Sequence, residues 1–463
     1  MKKVWLIVAI TALCGMAAST FAQVQNIRLS GDVRIRGYYL SDAGADMVTP
    51  TGNQVSGSSQ FIVQRTRVSV EADLADHVLA VVTLKAEGNW GQVASDVAGR
   101  TWNVGVQEAY VQLRELFYSP ATLKAGRQFL NYGDGLILSS ANQNYTFDAG
   151  RLVLDYHPLV IDVVAGQLAN PQAVSPQSTR GQTDLLFLNV KYDGGSSVMK
   201  TFEAYFGWMP QDGANMNAAG TQVFSSLDAY QQSPSPMVIG LRTDLAPTEG
   251  LTASLEGVYE LGDAAGPGSG ALVPAANGQI SAWLAKAAMK YTVKSAMSPT
   301  INASYTFASG GGLNGRNSFA PWFDDVDGMN GYLFQPMLSN IQIINLGGSI
   351  KPCANTTLAL QGFYYLKADK KVGVASNPNV DFGGPAFSNL ANMQALTGAT
   401  VVNQTGSREV GWEIDTILGY DYSNDVRCQL VYAMFIPDNV FGNTGGGANC
   451  VANEIRGEIN VKF

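Results

Sequence analysis

Runs of alternating apolar and polar residues recur along almost the whole chain. In the last run, Asn453 to Phe463, every second residue from Ile455 onward is apolar or glycine, and the residues between are charged or polar. Side chains alternate between the two faces of a strand, so this pattern predicts a strand with one apolar and one polar face. Counting such runs predicts eighteen strands, at residues 25–40, 60–74, 78–90, 105–116, 122–131, 147–156, 159–168, 182–193, 197–209, 236–246, 250–262, 279–293, 298–309, 340–352, 356–368, 408–421, 425–437 and 450–463.

The connections between these runs alternate between short turns and long loops rich in Gly, Asn, Ser and Pro. The long loops include Ser41–Ser59, Gln211–Pro236, Ser309–Asn340 and Asp369–Ser407. This segregation is typical of a transmembrane antiparallel β-barrel of the outer membrane, in which an even strand count places both termini in the periplasm. A sixteen-stranded barrel stays open if runs 122–131 and 147–156 fold inward. Loops of this length are usually functional, so we expect Ser309–Asn340 or Asp369–Ser407 to fold over or into the barrel mouth.

A secretory signal peptide is predicted at residues 1–22, which leaves residues 23–463 as one barrel domain. Lys2 and Lys3 precede a short apolar run, and Thr20-Phe21-Ala22 forms a cleavage site before Gln23. The apolar run is too short to cross a membrane, and no later stretch has about 18 unbroken apolar residues. The predicted location is therefore the bacterial outer membrane, reached by secretion.

Charge and composition narrow the range of partners. The chain has 29 Lys and Arg against 37 Asp and Glu, and removal of the signal leaves 27 − 37 = −10. A nucleic-acid-binding protein would usually be basic, so we expect no nucleic-acid partner. Abundant glycine (50) and low charge (14%) suit many short strands with glycine-rich connections.

The alternation also assigns charged residues to the barrel lumen, because a charge facing lipid at mid-membrane costs about 2–4 kcal/mol. These candidate pore-lining residues are Arg34, Arg36, Arg65, Arg67, Lys85, Arg114, Arg242, Lys286, Glu413 and Asp415, and the same face holds Glu87, Glu203, Glu256, Glu260, Lys290, Arg427, Glu454, Arg456 and Glu458. Two interpretations stay open. The charges either pair across strands and fill space, or they line a charged conduit whose basic wall is Arg34, Arg36, Arg65 and Arg67.

Aromatic residues mark the predicted membrane interfaces, where amphipathic rings are favoured. Trp90, Trp208 and Trp283 lie near the loop ends of their strands. Tyr192, Tyr291, Tyr420 and Phe463 lie near the turn ends.

Four groups of short motifs are spread over nearly the whole chain. They are Gln64-Arg65-Thr66-Arg67 with Glu71-Ala72; Gly126-Arg127-Gln128 with Asn131-Tyr132-Gly133-Asp134, Phe147-Asp148 and Arg151-Leu152; Asn317-Ser318-Phe319-Ala320-Pro321 with Gly331 and Asn340; and Gly411-Trp412-Glu413-Ile414-Asp415 with Phe435-Ile436-Pro437. In this order they resemble the alginate-export family of outer-membrane barrels. The chain departs from the family at Leu136-Ile137-Leu138, where members more often have a polar, Arg-containing segment.

The resemblance implies a monomeric, eighteen-stranded barrel whose constricted, basic pore passes an anionic polysaccharide. By the same resemblance Arg65, Arg67, Arg127 and Arg151 would line the pore. The terminal Phe463 also resembles the assembly signal of Gram-negative outer-membrane barrels, which implies contact with the barrel-assembly machinery. Outer-membrane lipid and lipopolysaccharide would surround the barrel.

Catalysis and cofactors are not predicted. The two histidines, His77 and His157, both fall at short turns, so no base is placed for catalysis at the outer rim. Asp324, Asp325 and Asp327 lack the flanking ligands of a calcium loop and are predicted to be a solvated acidic loop. Two functions remain: a channel for small or polymeric anionic solutes of the oligo- or polysaccharide class, or a general diffusion porin of weak selectivity.

The cysteines give a prediction about topology. Cys428 and Cys450 fall at opposite ends of neighbouring predicted strands, so we expect no disulfide between them.

Overall fold

The protein is described by a computed structural model. The structure describes residues 26–41, 58–91, 104–142, 145–169, 182–194, 196–212, 235–263, 279–310, 317–323, 329–370, 407–438 and 451–463. The predicted signal peptide, the loop Asp369–Ser407 beyond residue 370, the acidic loop around Asp325, and Cys450 lie outside these residues.

Antiparallel strands follow one another around a single closed sheet. They are β1 (Asn26–Ser41), β2 (Ser58–Ala75), β3 (Val78–Asn89), β4 (Val104–Leu113), β5 (Ala121–Gln128), β6 (Phe147–Tyr156), β7 (Leu159–Ala169), β8 (Gln182–Asp193), β9 (Met199–Trp208), β10 (Gln211–Asp212), β11 (Ser235–Thr248), β12 (Leu251–Asp263), β13 (Gln279–Thr292), β14 (Thr300–Ala308), β15 (Ile341–Cys353), β16 (Thr356–Lys367), β17 (Glu409–Asp421), β18 (Val426–Pro437) and β19 (Ala452–Lys462). The two-residue β10 pairs with β8, as β9 does, so β9 and β10 together form one strand of the wall. The barrel wall therefore has eighteen strands, as the alternation predicted.

The first and last strands close the sheet into a barrel. β1 and β19 pair from Asp32 opposite Lys462 to Ser41 opposite Asn453. Gly31 and Phe463 exchange two backbone hydrogen bonds, of 2.8 and 3.0 Å. Closure matters in a membrane because lipid cannot satisfy the polar groups of an open sheet edge.

β5 and β6 both belong to the wall, so the sixteen-strand alternative is wrong. β5 pairs with β4 on one side and with β6 on the other, and β6 pairs onward with β7. The connection between them, residues 129–146, is the part that folds inward.

The two ends of the barrel differ. Short connections, such as the one between Tyr156 and Leu159, lie at one end, called here the turn end, and the long connections lie at the other, the loop end. A 3₁₀ turn at Leu116–Tyr118 belongs to the turn end. No helix in the described parts of the chain is long and apolar enough to cross a membrane.

The outer face of the wall is apolar and carries exposed rings at both ends. Trp90 and Trp283 are exposed near the loop end, and Tyr291 and Tyr420 near the turn end. Between such rings the outward positions hold Leu, Ile, Val and Ala, which is the pattern expected of a lipid-facing band.

The loop-end half of the barrel interior is a packed apolar core. Inward wall residues such as Phe187, Val238 and Phe435 contact side chains from two inward-folded loops. The loop side chains of this core are Leu130, Tyr132, Leu136, Ile137, Leu138, Phe319, Leu333 and Leu338.

The described cysteines are free thiols, one exposed and one half-buried. Cys353 on β15 and Cys428 on β18 are linked laterally through Thr356 and Tyr420. Three strand spacings separate them, roughly 14 Å, whereas a disulfide needs Cα atoms within about 7 Å. The predicted absence of a bond to Cys450 stays a prediction.

Candidate functional site

The first lumen loop, residues 129–146 between β5 and β6, crosses the barrel interior. Leu136, Ile137 and Leu138 are almost completely buried. Burying a side chain of this size stabilises by about 2 kcal/mol, so the three hold the loop inward by about 6 kcal/mol. The segment that departs from the family pattern is therefore the apolar anchor of this loop.

The tip of the first lumen loop is bound to the opposite wall by charge. Asp134 Oδ1 lies 3.0 Å from Arg242 Nη1 on β11, and Asp134 Oδ2 forms an ion pair with Lys286 Nζ on β13. Burial alone would raise the pKa of Asp134, but Lys286 and Arg242 more than offset this, and the pKa of the carboxyl lies below its usual range. The carboxylate is thus ionised and holds the tip.

Wall carboxylates also bind the backbone of this tip. The Gly133 N–H donates to Glu203 on β9 (3.2 Å), and the Asp134 N–H donates to Glu256 on β12 (2.8 Å). Gly133 has φ +59°, and a Cβ there would lie 2.2 Å from Glu256 Oε1. Only glycine permits this close approach.

The second lumen loop, which here means the described residues 309–310, 317–323 and 329–340 between β14 and β15, is held on β17. The carboxylate of Glu413 accepts the backbone N–H groups of Tyr332 (2.7 Å), Leu333 (2.7 Å) and Phe334 (2.9 Å). The Tyr365 hydroxyl also lies 3.1 Å from Glu413 Oε2. The expectation that a long loop folds into the mouth holds for the described parts of Ser309–Asn340.

The two lumen loops contact each other. The Ser139 N–H donates to the Phe323 carbonyl (2.7 Å), and the Phe323 N–H donates to the Ile137 carbonyl (2.8 Å). The Ala320 N–H donates to Glu260 on β12 (2.9 Å). The loops therefore form one constriction, anchored on both sides of the barrel.

The placement of the inward acids corrects one prediction. Glu413 and Asp415 face inward, but both are 0% exposed. They lie beneath the second lumen loop and do not line an open pore. The sequence could not reveal this, because alternation gives the face of a strand and not what covers that face.

The predicted basic wall is an ion-pair network. Asp32 binds Arg67 and lies 3.2 Å from Arg65. The network continues through Arg36–Glu458, Arg34–Glu87 at 3.7 Å and Lys85–Glu87 at 2.5 Å. The charges therefore pair across strands, as the first interpretation has it, and the charged conduit stays a prediction.

Like charges nevertheless lie directly opposite each other on adjacent strands. The register pairs Arg34 with Arg65, Arg67 with Lys85, and Lys124 with Arg151. Such like-charge pairs destabilise a sheet.

Lys124 was missed at the sequence level. Its Nζ lies 3.6 Å from the centroid of the Tyr110 ring, and within the described residues it has no carboxylate at salt-bridge distance. Arg151, across from it, binds Asp162 at 2.5 Å, and Asp162 also accepts the Tyr132 hydroxyl at 3.0 Å. The sequence did hold a signal for Lys124: it lies four residues before the inward-facing Gln128, so the period-two alternation of β5 places both side chains on the lumen face.

Two other candidates lie elsewhere. Arg127 faces outward, where it forms two 2.8 Å hydrogen bonds to Asp148, so its placement in the pore was wrong. The register gives the reason, because Arg127 lies opposite Ala109 on the outer face. Arg114 follows the last residue of β4 and is exposed at the turn end, where its N–H donates to the His77 carbonyl.

Exposure differs between the partners of three ion pairs that face the lumen. The side chain of Arg67 is 18% exposed and that of its partner Asp32 is 4%; for Arg151 and Asp162 the values are 29% and 4%. Arg242 (16%) covers Glu256 (2%) in the same way. In these three pairs the base faces the interior space and the acid lies behind it, whereas in Arg34–Glu87 and Arg36–Glu458 the acid is the more exposed partner. No metal-binding cluster of His, Cys, Asp and Glu occurs among the described residues.

The closed barrel, its apolar outer band and its loop-filled interior define a class, the outer-membrane channels. The sequence matches the family model for alginate export over residues 26–452. The chain therefore belongs to the alginate export family, and its location is the bacterial outer membrane.

Solved structures agree on the fold. Acinetobacter baumannii OccAB1 is similar with a TM-score of 0.55 and 12% identity, over 96% of this chain and 99% of that one. Pseudomonas aeruginosa OpdK with vanillate gives 0.54 and 10%, over 94% and 98%. Pseudomonas aeruginosa OccK2 (OpdF) in complex with glucuronate gives 0.52 and 9%, over 95% and 97%. Comparison with curated proteins found no match.

Proposed function

We propose that the protein is a selective channel through which anionic solutes of the saccharide class cross the outer membrane, with both termini in the periplasm. The observation that carries this is the set of exposed bases along β1–β6, two of which cover a buried acid. Along β1–β6, a solute meets Arg67, Lys85, Lys124 and Arg151, while Asp32 and Asp162 lie buried behind them.

The lumen loops favour small anions over a polymer. Both loops cross the interior and are attached to the wall at Asp134 and Glu413. A polysaccharide would have to displace at least one of them. The vanillate and glucuronate of the similar structures are small carboxylates, which supports the same size class. A general diffusion porin of weak selectivity is the second candidate, supported by the many acids that pair with the lumen bases.

The test residue is Lys124, because it forms no salt bridge within the described residues and its nearest charge coupling is to the half-buried Glu108 on β4. An anion about 4 Å from a unit charge in a watery pore interacts by about 1 kcal/mol. Replacing Lys with Glu changes the sign, so the difference is about 2 kcal/mol, or roughly a thirtyfold change in local anion occupancy. The permeability ratio of chloride to potassium should fall accordingly.

The measurement is the reversal potential in planar bilayers under a salt gradient, for wild type, Lys124→Glu and the control Lys294→Glu. Lys294 lies in a turn and is 76% exposed, so its reversal makes the same change in net charge away from the lumen. Equal reversal potentials for all three proteins would favour the weakly selective porin.

Several further properties belong to this proposal. Residues 1–22 would be removed as a signal peptide, residues 23–463 would act as a monomer among lipid and lipopolysaccharide, and Phe463 would contact the barrel-assembly machinery. No catalytic role, cofactor or nucleic-acid partner is proposed.

A further inference from the structure

Fully buried acids lie where the second lumen loop meets the wall. Glu413 and Asp415 on β17 and Glu454 on β19 are each 0% exposed. The base beside them is Arg456, which is 2% exposed and lies 3.5 Å from Glu454. Arg456 pairs with Glu454, and the two carboxyls of β17 lie in a region without water access.

Within the described residues, the other elements packed against Glu413 and Asp415 add no cation beside this pair. β16 contributes the Tyr365 hydroxyl, and β18 contributes the apolar Ala433 and Phe435 opposite Asp415 and Glu413. Burying an uncompensated charge costs several kcal/mol. One carboxyl of the pair Glu413 and Asp415 must therefore be neutral in the folded barrel.

Hydrogen bonding distinguishes the two acids of β17. Glu413 receives donors on both oxygens: Tyr332 and Leu333 on Oε1, and Phe334 and the Tyr365 hydroxyl on Oε2. A carboxylate has about four lone-pair sites, all acceptors, so this arrangement is complementary to the ionised form.

Asp415 has the opposite surroundings. Neither of its oxygens has a hydrogen-bond partner of good geometry among the described residues, and the charged groups that act on it most strongly are the carboxyls of Glu413 and Glu454. A proton would remove the buried charge and supply the one O–H donor that the pair lacks. The side-chain nitrogen of the buried Asn330, on the loop beside Tyr365, is also unpartnered within the described structure.

We propose that Glu413 and Asp415 form a buried site for one proton, which resides on Asp415 and keeps the second lumen loop bound to Glu413. Loss of the proton places a second buried negative charge beside Glu413. The repulsion is relieved when the loop leaves the wall and water enters. Alkaline pH therefore opens the constriction, with up to about a tenfold rise in the open population per pH unit for one proton.

Infrared difference spectroscopy of the full-length protein at neutral pH tests the site directly. In the difference between wild type and Asp415→Asn, we expect loss of a protonated-carboxyl C=O band. The control Asp148→Asn, in an exposed ion pair, should lose an ionised-carboxylate band instead. Loss of only an ionised-carboxylate band in Asp415→Asn would overturn the proposal. Failure of this variant to fold would also count against it, because Asn has the shape of the neutral acid.

Single-channel recording tests the consequence. Wild type should show more large-conductance events as the pH rises, whereas Asp415→Asn should not respond. A wild-type response preserved in Asp415→Asn would overturn the coupling to the loop. Total conductance does not depend on the sign of the permeant ion, so this result is independent of anion selectivity.

Discussion

The anchoring of the first lumen loop by Asp134 gives the sharpest test of how the constriction is held. Asp134→Asn keeps the size of the side chain and removes the charge that binds Arg242 and Lys286. Hydrogen bonds to charged groups contribute about 1.5–3 kcal/mol each. The Asp134 side chain is about one-third exposed, so each of its two interactions, with Arg242 and with Lys286, is taken at the lower value of about 1.5 kcal/mol. Together they contribute about 3 kcal/mol. The ratio of released to anchored loop should then rise roughly a hundredfold.

Planar-bilayer recording measures this ratio as the frequency of large-conductance events. The backbone bonds to Glu203 and Glu256 remain in Asp134→Asn, so the loop should open intermittently and not permanently. Asp148→Asn is the matched control, because it removes the same charge from a pair on the outer face. An unchanged event frequency in a folded Asp134→Asn barrel would refute the assignment of these ion pairs as the anchor.

Two further predictions concern the same loops. Because the pKa of Asp134 is lowered, the stabilisation that this residue gives to the anchored loop is complete above the ordinary Asp pKa of about 3.9 and is lost as the pH falls through the lowered value. Acidification should therefore raise the frequency of large-conductance events in wild type and leave it unchanged in Asp134→Asn. Gly331→Ala should release the second lumen loop, because Gly331 has φ +106° and a Cβ would lie 2.4 Å from the Tyr365 hydroxyl. The control Gly257→Ala adds a Cβ with nothing within 4 Å, and equal conductance in the two alanine variants would contradict this explanation.

The strands were predictable because a barrel wall imposes one strong constraint on every strand. Lipid lies on one side and packed or wet interior on the other, so polarity alternates with period two. The run 147–156 coincides with β6, and the other strands end within a few residues of their predicted limits. The positions of the turns were predictable for the same reason, because the alternation stops at each turn.

The site was less predictable because its chemistry depends on lateral register. Whether Arg65 meets Glu87 or Lys85 is decided by the offset between β2 and β3, which no residue pattern within either strand encodes. The outward placement of Arg127 shows the same limit. The anchoring role of Leu136-Ile137-Leu138 was not predictable for a different reason, because an apolar loop segment has packing partners only when the barrel has closed around it.

The net negative charge of the chain is compatible with an anion pathway because several inward acids have another task. Glu203, Glu256, Glu260 and Glu413 each accept backbone N–H groups from the lumen loops. Buried backbone N–H groups need acceptors, and two loops folded into a barrel bring many such groups away from water. A wall carboxylate can accept several of them at once and so fixes a loop without a complementary strand. These acids therefore bind the loops of the constriction, and the bases that face the remaining space set the electrostatic potential that a solute meets.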